Sequence, residues 1–423
     1  MKQRNILGFF LAFAMILGLA ATAFAYSSLV IPGVTYYDPA KAQGCFTLID
    51  GNGLKLIDMN GNVVHDWTPF LKHNNGNQRG LLLPNGHVLA MRRAPSAVQP
   101  GVPFIYELDW DGNLVWSYEG TQRANPHHDV RRLDNGNTLT LIRDQRTAAE
   151  VAVMGIKDFP GNEWFSPMRR TGVGIAGDKI IEVTPANEIV WEWSTFDDPW
   201  FDINRFSPID TVLDWVHCNT CSILPENKWY DAGDVRFRPG NIILNPRNFD
   251  EFVIIDKETR RVVWSHQSDF QGGLAHPHEP IMIEKGLPGA GNILVFDNGL
   301  FPKNRDHSGQ SYILEINPRE KEIVWIYGAE NFYSNVGAVQ HRLPNGNTFI
   351  VETTTGRLFQ VTPAGEIVWE WIGDRNPVIS RTGAYPYDYC PQFANLPKSE
   401  IPVSLPAGAR PMPRMSVGSS AGG

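Results

Sequence analysis

One unit recurs six times along this chain of 423 residues, and it restricts the possible folds more than any other feature. Each copy contains two short runs of alternating apolar residues, joined by a turn that carries Gly, Asn or Pro. An alternation with a period of two is typical of β-strands, so each copy is predicted to form a β-hairpin. The six copies end in tryptophan, at Trp67, Trp116, Trp191, Trp264, Trp325 and Trp369.

A second hairpin precedes several of these copies. Its turn is marked by Leu-Pro-Asn-Gly or Leu-Asp-Asn-Gly at 83–86, 133–136 and 343–346. Two hairpins make a four-stranded sheet, which must stack on a neighbour to bury both of its faces. Six such sheets around one axis form a propeller. The predicted fold class is therefore all-β, a six-bladed β-propeller of four-stranded antiparallel blades with tryptophans between them.

The beginning of the chain has the pattern of a targeting segment. Lys2 and Arg4 precede an apolar run over 6–21, and Ala23 to Ala25 place small residues where signal peptidase cleaves. The alternative is an uncleaved membrane anchor, for which the run is at the lower limit of length. We predict a signal peptide over 1–25.

The remaining chain divides into a single propeller domain over 26–395 and a tail over 396–423. The tail is rich in Pro, Ser and Gly and is predicted to be disordered. No second long apolar run follows the signal peptide, so no stable membrane insertion is expected after cleavage. The predicted location is periplasmic or secreted.

Charge and cysteine content limit the partners. The net charge of −8 is spread along the chain without a basic stripe, which argues against a nucleic-acid partner. Cys45 and Cys390 lie near the two ends of the repeat array, and we predict a disulfide between them that closes the ring. The sequence leaves a homodimer open.

Histidines occupy matched positions in three predicted blades. His128 lies five residues before Leu133, and His278 lies five residues before Ile283. His217 holds a comparable place before another strand. Equivalent positions in a radial array converge on the axis, so we expect these histidines to line one ligand site. The other histidines lack this register and are predicted to lie on the surface or, for His341, on the rim: His65, His73, His87, His266, His307 and His341.

Arg247 ends the strand that follows the His217 segment. A guanidinium facing several histidines, without carboxylates, indicates an anionic ligand. A zinc site of His217, Cys218 and Cys221 is the alternative. It is disfavoured because His217 and Cys218 are neighbours on a predicted strand and face opposite sides. A disulfide between Cys218 and Cys221 is disfavoured for the same reason, because residues at i and i+3 of a strand also face opposite sides. We predict no metal site.

At these residues the chain resembles the bacterial arylsulfate sulfotransferase family, whose members are exported six-bladed propellers. The resemblance spans roughly 45–390. The family's His-Asp-Val segment matches 128–130, and its Asp-Trp-x-His-x-Asn-Ser segment resembles Asp-Trp-Val-His-Cys-Asn-Thr at 214–220. Its Ile-Ile-Leu-Ser-Ser-Arg strand resembles 242–247, and its Phe-Asp-Asn-Gly strand end matches 296–299.

The resemblance implies transfer of a sulfuryl group from a phenolic sulfate ester to a phenol through a sulfohistidine, with neither a cofactor nor a nucleotide donor. Small phenolic sulfates and phenols are the implied partners. The implied nucleophile is His278, although Pro-His replaces the family's Gln-His and leaves His276 open. The implied catalytic residues are His278, His217, His128 and Arg247, and the implied substrate-binding residues are Asn219, His276 and Asn298.

Two other functions stay open at this stage. A non-catalytic exported propeller that binds a ligand or acts as a scaffold would keep the fold without the chemistry. A quinone-cofactor dehydrogenase also has tryptophans at its blade ends, but the chain lacks the adjacent cysteine pair expected of one. The positions of the four implied catalytic residues discriminate between an enzyme and a binding propeller. An enzyme requires that all four meet in one pocket.

Overall fold

The structure is a computed structural model, and it describes residues 32–50, 53–68, 77–92, 103–121, 124–153, 173–202, 205, 214–300, 309–330, 332–373 and 381–404. The chain divides into the units Met1–Pro32 and Gly33–Gly423, and the second contains the propeller. The predicted signal peptide over 1–25 lies outside the described residues. In the described part, 25 strands form six antiparallel sheets, which confirms the predicted six-bladed propeller.

Blades 2 and 3 each come from one continuous segment. Blade 2 contains β5 (Asn77–Leu82), β6 (Val88–Arg92), β7 (Ile105–Leu108) and β8 (Leu114–Tyr118). Blade 3 contains β9 (Pro126–Arg132), β10 (Thr138–Thr147), β11 (Val173–Val183) and β12 (Ile189–Ser194), with a short helix over Ala148–Val153 between its two long central strands.

Blades 4 and 5 follow the same order. Blade 4 contains β13 (Cys218–Ile223), β14 (Ile242–Pro246), β15 (Phe252–Asp256) and β16 (Arg261–His266). Blade 5 contains β17 (His278–Met282), β18 (Ile293–Asp297), β19 (Tyr312–Asn317) and β20 (Glu322–Tyr327). Short helical turns lie at Lys228–Asp231, Val235–Phe237, Arg247–Phe249, Phe270–Gly272 and Pro391–Asn395.

Blades 1 and 6 join the two ends of the chain. Blade 1 contains β2 (Cys45–Ile49), β3 (Lys55–Ile57), β4 (Val63–Asp66) and, beside β2, the late strand β25 (Ala384–Pro386). Blade 6 contains β21 (Val339–Arg342), β22 (Thr348–Glu352), β23 (Arg357–Val361) and β24 (Ile367–Ile372), and the early strand β1 (Gly33–Tyr37) adds to β24. Strand pairing therefore joins the two ends of the chain at two places, through β25 with β2 in blade 1 and through β1 with β24 in blade 6.

The predicted disulfide between Cys45 and Cys390 is wrong, because all four cysteines are free. Cys45 Sγ lies 3.6 Å from Met59 Sδ in the apolar cluster between blades 6 and 1. Cys390 packs in a different cluster, between blades 1 and 2. The strand pairing of β25 with β2 closes the ring without a covalent bond.

The core consists of six apolar clusters, one between each pair of neighbouring blades. The predicted tryptophans lie at these interfaces. Five of their six indole N–H groups donate to a backbone carbonyl on the next blade, which ties these five blades to their neighbours. These bonds are Trp67 to Asp109 at 3.0 Å, Trp191 to Lys257 at 3.0 Å, Trp264 to Pro318 at 2.9 Å, Trp325 to Pro363 at 2.8 Å and Trp369 to Met59 at 2.8 Å.

The described part of the predicted tail is held against the propeller. Tyr37 N donates to Val403 O at 2.8 Å, and Val403 N donates to Tyr37 O at 3.0 Å. Residues 405–423 lie outside the described residues, so disorder there stays a prediction. Across the described segments, no helix has the length and apolar character needed to span a membrane.

Candidate active site

The first strands of neighbouring blades surround the axis, because β9 contacts β13, β13 contacts β17 and β17 contacts β21. Three predicted histidines lie at the same ends of these strands. The rings of His128 and His217 are 4.8 Å apart between centroids. Asn248, which follows Arg247, donates from Nδ2 to Asp214 O at 2.7 Å in the His217 segment, and Asn245 Nδ2 in the same strand region donates to Pro277 O, next to His278, at 2.6 Å. The structure therefore brings the four implied catalytic residues into one cluster.

The backbone around this cluster is strained. His128, His217, His276 and Glu279 have φ values of 60°, 51°, 54° and 48°, in the left-handed region that disfavours residues with a Cβ. Each such residue costs about 1–3 kcal/mol, and strain of this kind concentrates at functional sites. The register of β9, β13 and β17 shifts close to these residues, so each of the three strands has a β-bulge there.

His278 is buried, with 2% of its surface exposed. Its Nδ1 donates to Asn298 Oδ1 at 2.7 Å. The Asn298 amide is oriented by its own Nδ2, which donates to Ser334 O at 2.7 Å and to Gly337 O at 3.2 Å. Asn298 therefore presents an oxygen to His278, and this holds the proton on Nδ1 and leaves a lone pair on Nε2.

The electrostatic surroundings keep His278 neutral. Burial lowers its pKa well below the usual value for histidine, and the nearby cations Arg381 and Arg247 lower it further. His217 adds to this effect, while the hydrogen bond to Asn298 opposes it. A neutral imidazole with a free Nε2 has the form that a nitrogen nucleophile needs.

His276, the other candidate nucleophile, has different partners. Its Nδ1 donates to Leu300 O at 2.8 Å, and its backbone N–H donates to Asp250 Oδ1 at 2.8 Å. Its ring Nδ1 also lies 3.7 Å from Asp250 Oδ1. These contacts tie His276 to the loop after β18 and to the turn before β15, whereas His278 belongs to the electrostatic environment of His217.

His217 is oriented by a carboxylate. Its Nδ1 donates to Asp214 Oδ2 in a short hydrogen bond, and Arg143 lies 3.2 Å from the other carboxylate oxygen. Burial would raise the pKa of Asp214, but His217, Arg143 and Arg247 together hold it far below its usual range. Burial also lowers the pKa of His217, while Asp214 opposes this change. Asp214 is thus an anionic acceptor that directs His217 Nε2 away from itself.

Arg247 begins the helical turn after β14 and is partly exposed. Its Nε and Nη2 donate to Asn248 Oδ1 at 2.9 and 2.8 Å. Asn248 Nδ2 in turn donates to Asp214 O at 2.7 Å. Asn248 therefore positions both the Arg247 guanidinium and Asp214, the carboxylate partner of His217.

The two predicted substrate-binding asparagines are fully buried. Asn219 Nδ2 donates to Pro277 O at 3.0 Å, and Asn219 Oδ1 accepts from Asn245 Nδ2 at 2.6 Å. This pair anchors the segment that carries His278, and Asn298 orients its ring. The structure shows positioning contacts for both Asn219 and Asn298, and substrate contact by them stays a prediction.

A buried group of five charged residues lies beside the histidines and was missed by the sequence analysis. We call it the axial ion cluster. Arg79 Nη1 and Nη2 bind both oxygens of Glu279 at 2.8 and 2.7 Å, and Arg79 Nε lies 2.9 Å from Asp129 Oδ1. Arg131 Nη2 lies 2.5 Å from Glu279 Oε1 and 3.2 Å from Asp129 Oδ2. Arg381 Nη1 lies 3.5 Å from Glu279 Oε2.

Within the five residues of the axial ion cluster, three guanidinium groups face two carboxylates, an excess of one positive charge. The buried carboxylate of Asp50 lies next to the cluster and accepts from Arg381 N at 3.2 Å. Arg381 has the longest contacts, at 3.3 Å to His128 O and 3.4 Å to Thr220 Oγ1. Burial lowers the pKa of Arg381 to about 10, with Arg79 lowering it and Glu279 opposing. An excess cation in a desolvated setting favours an anionic ligand nearby.

The structure corrects two other expectations. Cys218 and Cys221 do not face opposite sides, because the bulge in β13 turns both thiols into the cluster between blades 3 and 4. His266 is not a surface residue: it is 7% exposed and stacks on Trp264. It lines a separate cavity of about 730 Å³ with Trp200, Arg205 and Lys321.

In the ranges described, no group of His, Cys, Asp and Glu is arranged to hold a metal ion.

The fold and the cluster define a class: a six-bladed propeller with a buried, neutral histidine among cations at its axis. The family model described as arylsulfotransferase (ASST) matches residues 79–374, which include His128, His217, Arg247 and His278. The chain belongs to the arylsulfotransferase family. Arg381 lies outside the matched residues.

Comparison with solved structures shows the fold alone. A protein of unknown function from Bacteroides caccae is 13% identical, covers 81% of this chain and 99% of its own, and gives a TM-score of 0.51. Virginiamycin B lyase from Staphylococcus aureus is 12% identical, covers 75% of this chain and 80% of its own, and gives a TM-score of 0.39. No curated protein matches the chain by sequence.

Proposed function

We propose that this protein is an arylsulfate sulfotransferase that moves a sulfuryl group from a phenolic sulfate ester to a phenol, with His278 as the covalent carrier. The observation that carries the proposal is the state of His278: buried, neutral, and held by Asn298 so that Nε2 is free. Family membership supports the same reaction class. A reaction that needs no nucleotide donor would suit the predicted periplasmic or secreted location.

In the first half-reaction, His278 Nε2 attacks the sulfur of the aryl sulfate. The S–N bond forms while the bond from sulfur to the phenolic oxygen breaks, and the electron pair leaves with the phenolate. The His278 ring becomes positively charged, and its Nδ1 proton stays hydrogen-bonded to Asn298. This retained proton explains why a fixed tautomer is useful for the reaction.

Cations around His278 would stabilise the transferring group. Negative charge lies on the three sulfuryl oxygens and grows on the leaving oxygen. Arg247 offers a planar donor pair for these oxygens, and His217 would add an Nε2–H donor in its imidazolium form, which the Asp214 carboxylate stabilises. The excess charge of the axial ion cluster acts over a short distance in a medium of low dielectric constant.

In the second half-reaction, an acceptor phenol attacks the sulfur of the sulfohistidine. The S–N bond breaks and its electron pair returns to His278 Nε2. His128 would accept the phenolic proton in this step. Burial, then His217 and His127, lower the pKa of His128 well below its usual value, so it is an unprotonated base at neutral pH.

The test is intact-mass spectrometry after brief mixing with p-nitrophenyl sulfate. We expect wild-type protein to gain about 80 Da, the mass of one sulfuryl group, and to release p-nitrophenolate. His278→Ala should gain none, and the matched variant His276→Ala should still gain it. A gain on His278→Ala would assign the nucleophile elsewhere. No gain and no phenol release in wild type would favour a non-catalytic binding propeller.

A further inference from the structure

The end of strand β14 leads directly into the turn that carries Arg247. The register of β14 with β15 ends at Leu244, so Asn245 and Pro246 extend past the last residue paired on that side. On the other side, Pro246 is the register partner of Cys218 in β13. A proline has no N–H to donate. The position of this strand end therefore depends strongly on what its side chains contact.

The side chain of Asn245 crosses from blade 4 to blade 5. It is fully buried, and its Nδ2 donates to Pro277 O at 2.6 Å and to Asn219 Oδ1 at 2.6 Å. Both neighbours are acceptors, which identifies the amide nitrogen as the atom that faces them. Pro277 immediately precedes His278 in the chain. Asn245 thus ties the strand that ends at Arg247 to the segment that carries the proposed nucleophile.

A second tie lies on the far side of Arg247. His276 N donates to Asp250 Oδ1 at 2.8 Å, three residues after Arg247. The turn that contains Arg247 is consequently fastened to residues 276–278 both before and after the arginine. Two ties of this kind fix the separation of the guanidinium-bearing turn from the imidazole of His278.

The contacts of Asn245 are redundant for hydrogen bonding. Pro277 O also accepts from Asn219 Nδ2 at 3.0 Å, and Asn219 Oδ1 also accepts from Thr220 Oγ1 at 3.1 Å. Within the described part of the chain, the buried Oδ1 of Asn245 has no hydrogen-bond partner. A buried carbonyl oxygen without a donor lowers stability. An amide of this kind is therefore better explained by a role in function than by a role in stability.

We propose that Asn245 is a positioning residue that fixes the distance between Arg247 and His278 for attack on the sulfuryl group. This rests on the proposed sulfotransferase function, and it assigns a role to a residue that the family resemblance does not imply. In that attack, His278 Nε2 must reach a sulfur atom whose oxygens are held by Arg247. A misplacement of about 1 Å between reacting groups can lower a rate by about 100-fold.

Rapid mixing of Asn245→Leu with p-nitrophenyl sulfate tests the proposal. The burst rate constant at saturating donor should fall about 10- to 100-fold. The donor concentration that gives half of this rate constant should stay within about twofold of wild type, because Arg247 still binds the anion. Both acceptors of Asn245 keep a second donor and its unpaired oxygen is removed. The burst amplitude and the midpoint of denaturant unfolding should therefore equal or exceed those of wild type.

The matched control is Asn241→Leu, at a buried asparagine just before the other end of β14. Asn241 Oδ1 accepts from Lys257 N at 3.2 Å, and Asn241 Nδ2 donates to Arg236 O at 3.3 Å. We expect the opposite result, a lower unfolding midpoint and a wild-type burst rate constant. Asn245→Ala removes the same donors without adding apolar branches. It should lose as much burst rate as Asn245→Leu, which shows that the effect does not come from the packing of leucine.

The inference is overturned if Asn245→Leu or Asn245→Ala releases p-nitrophenolate with the wild-type burst rate constant. It is also overturned if only the half-saturating donor concentration changes, which indicates a role in donor binding. A lower unfolding midpoint and a smaller burst amplitude with an unchanged rate constant would mean a structural role and would overturn it as well. Failure of the proposed function looks different, since wild-type protein would then show no burst at all.

Discussion

At the scale of single residues, the site depends on which nitrogen of each imidazole carries a proton. Asn298 sets this for His278, and Asp214 does so for His217. The pKa directions agree with the geometry, because burial and neighbouring cations keep His278 unprotonated. A nucleophile that is neutral far below pH 7 should keep transferring sulfuryl groups in mildly acidic solution.

Asn298→Asp tests this control of His278. A carboxylate at Nδ1 stabilises the imidazolium, so the pKa of His278 rises, and the fraction of neutral nucleophile falls as the pH decreases. The acid limb of kcat/KM for p-nitrophenyl sulfate, which we expect well below pH 6.5 in wild type, should move up by about one pH unit or more. Asn241→Asp, at a buried asparagine in blade 4 that donates to Arg236 O, is the control and should keep the wild-type profile. An unmoved acid limb in Asn298→Asp contradicts the assignment.

At the scale of structural elements, five of the six blades are tied to the next blade by the indole of a tryptophan in or just after their fourth repeat strand. Five of the six indole N–H groups find a carbonyl across the interface, whereas Trp116 Nε1 in blade 2 is buried without a hydrogen-bond partner in the described residues. Trp116 and Trp264 are alike in having a cation over the ring. The Arg132 guanidinium lies 5.0 Å from the Trp116 ring, and the Lys321 ammonium lies 5.5 Å from the Trp264 ring.

Trp264→Phe and Trp116→Phe therefore form a matched pair for stability. Both lose aromatic area, but only Trp264→Phe leaves the buried carbonyl of Pro318 without its donor. We expect Trp264→Phe to lower the free energy of unfolding by about 1–3 kcal/mol more than Trp116→Phe. Denaturant unfolding followed by far-UV circular dichroism measures the difference. Equal losses would mean that the interface depends on packing area and not on the indole hydrogen bond.

At the scale of the whole molecule, the segment that closes the ring also supplies a residue of the site. Strand β25 pairs with β2 to finish blade 1, and Arg381 comes just before β25. The last segment of the propeller thus brings the excess cation of the axial ion cluster to the backbone of His128. No repeat motif contains this residue.

Arg381→Gln should weaken turnover of the anionic donor without removing the nucleophile. Loss of the excess cation reduces stabilisation of the sulfuryl oxygens, so kcat/KM for p-nitrophenyl sulfate should fall about 10- to 100-fold. The burst amplitude counts the folded, reactive sites and corrects for any loss of protein. Arg357→Gln removes a guanidinium buried between Glu352 and Glu370 in blade 6 and is the control. Equal kcat/KM in the two variants would argue against a role for the charge of Arg381.

The repeating unit and its consequences can be read from local sequence patterns. Alternating residues and turn motifs specify hairpins, and hairpins that cannot bury both faces specify a propeller. The matched histidine positions follow from the same repeat, so the spacing alone predicts that His128, His217 and His278 meet at one axis. These inferences rest on local patterns, which a chain expresses within a dozen residues.

Only the tertiary structure decided the contacts between distant segments. The left-handed backbone at His128 sets its ring against His127, Asn298 reaches His278 from another strand, and Arg381 arrives with the closing segment. The free Cys45 was likewise unpredictable, because sequence position near the ends of the array does not specify which cluster a side chain enters. Bulges and ring closure depend on the packing of all six blades together, and a local pattern carries no record of that packing.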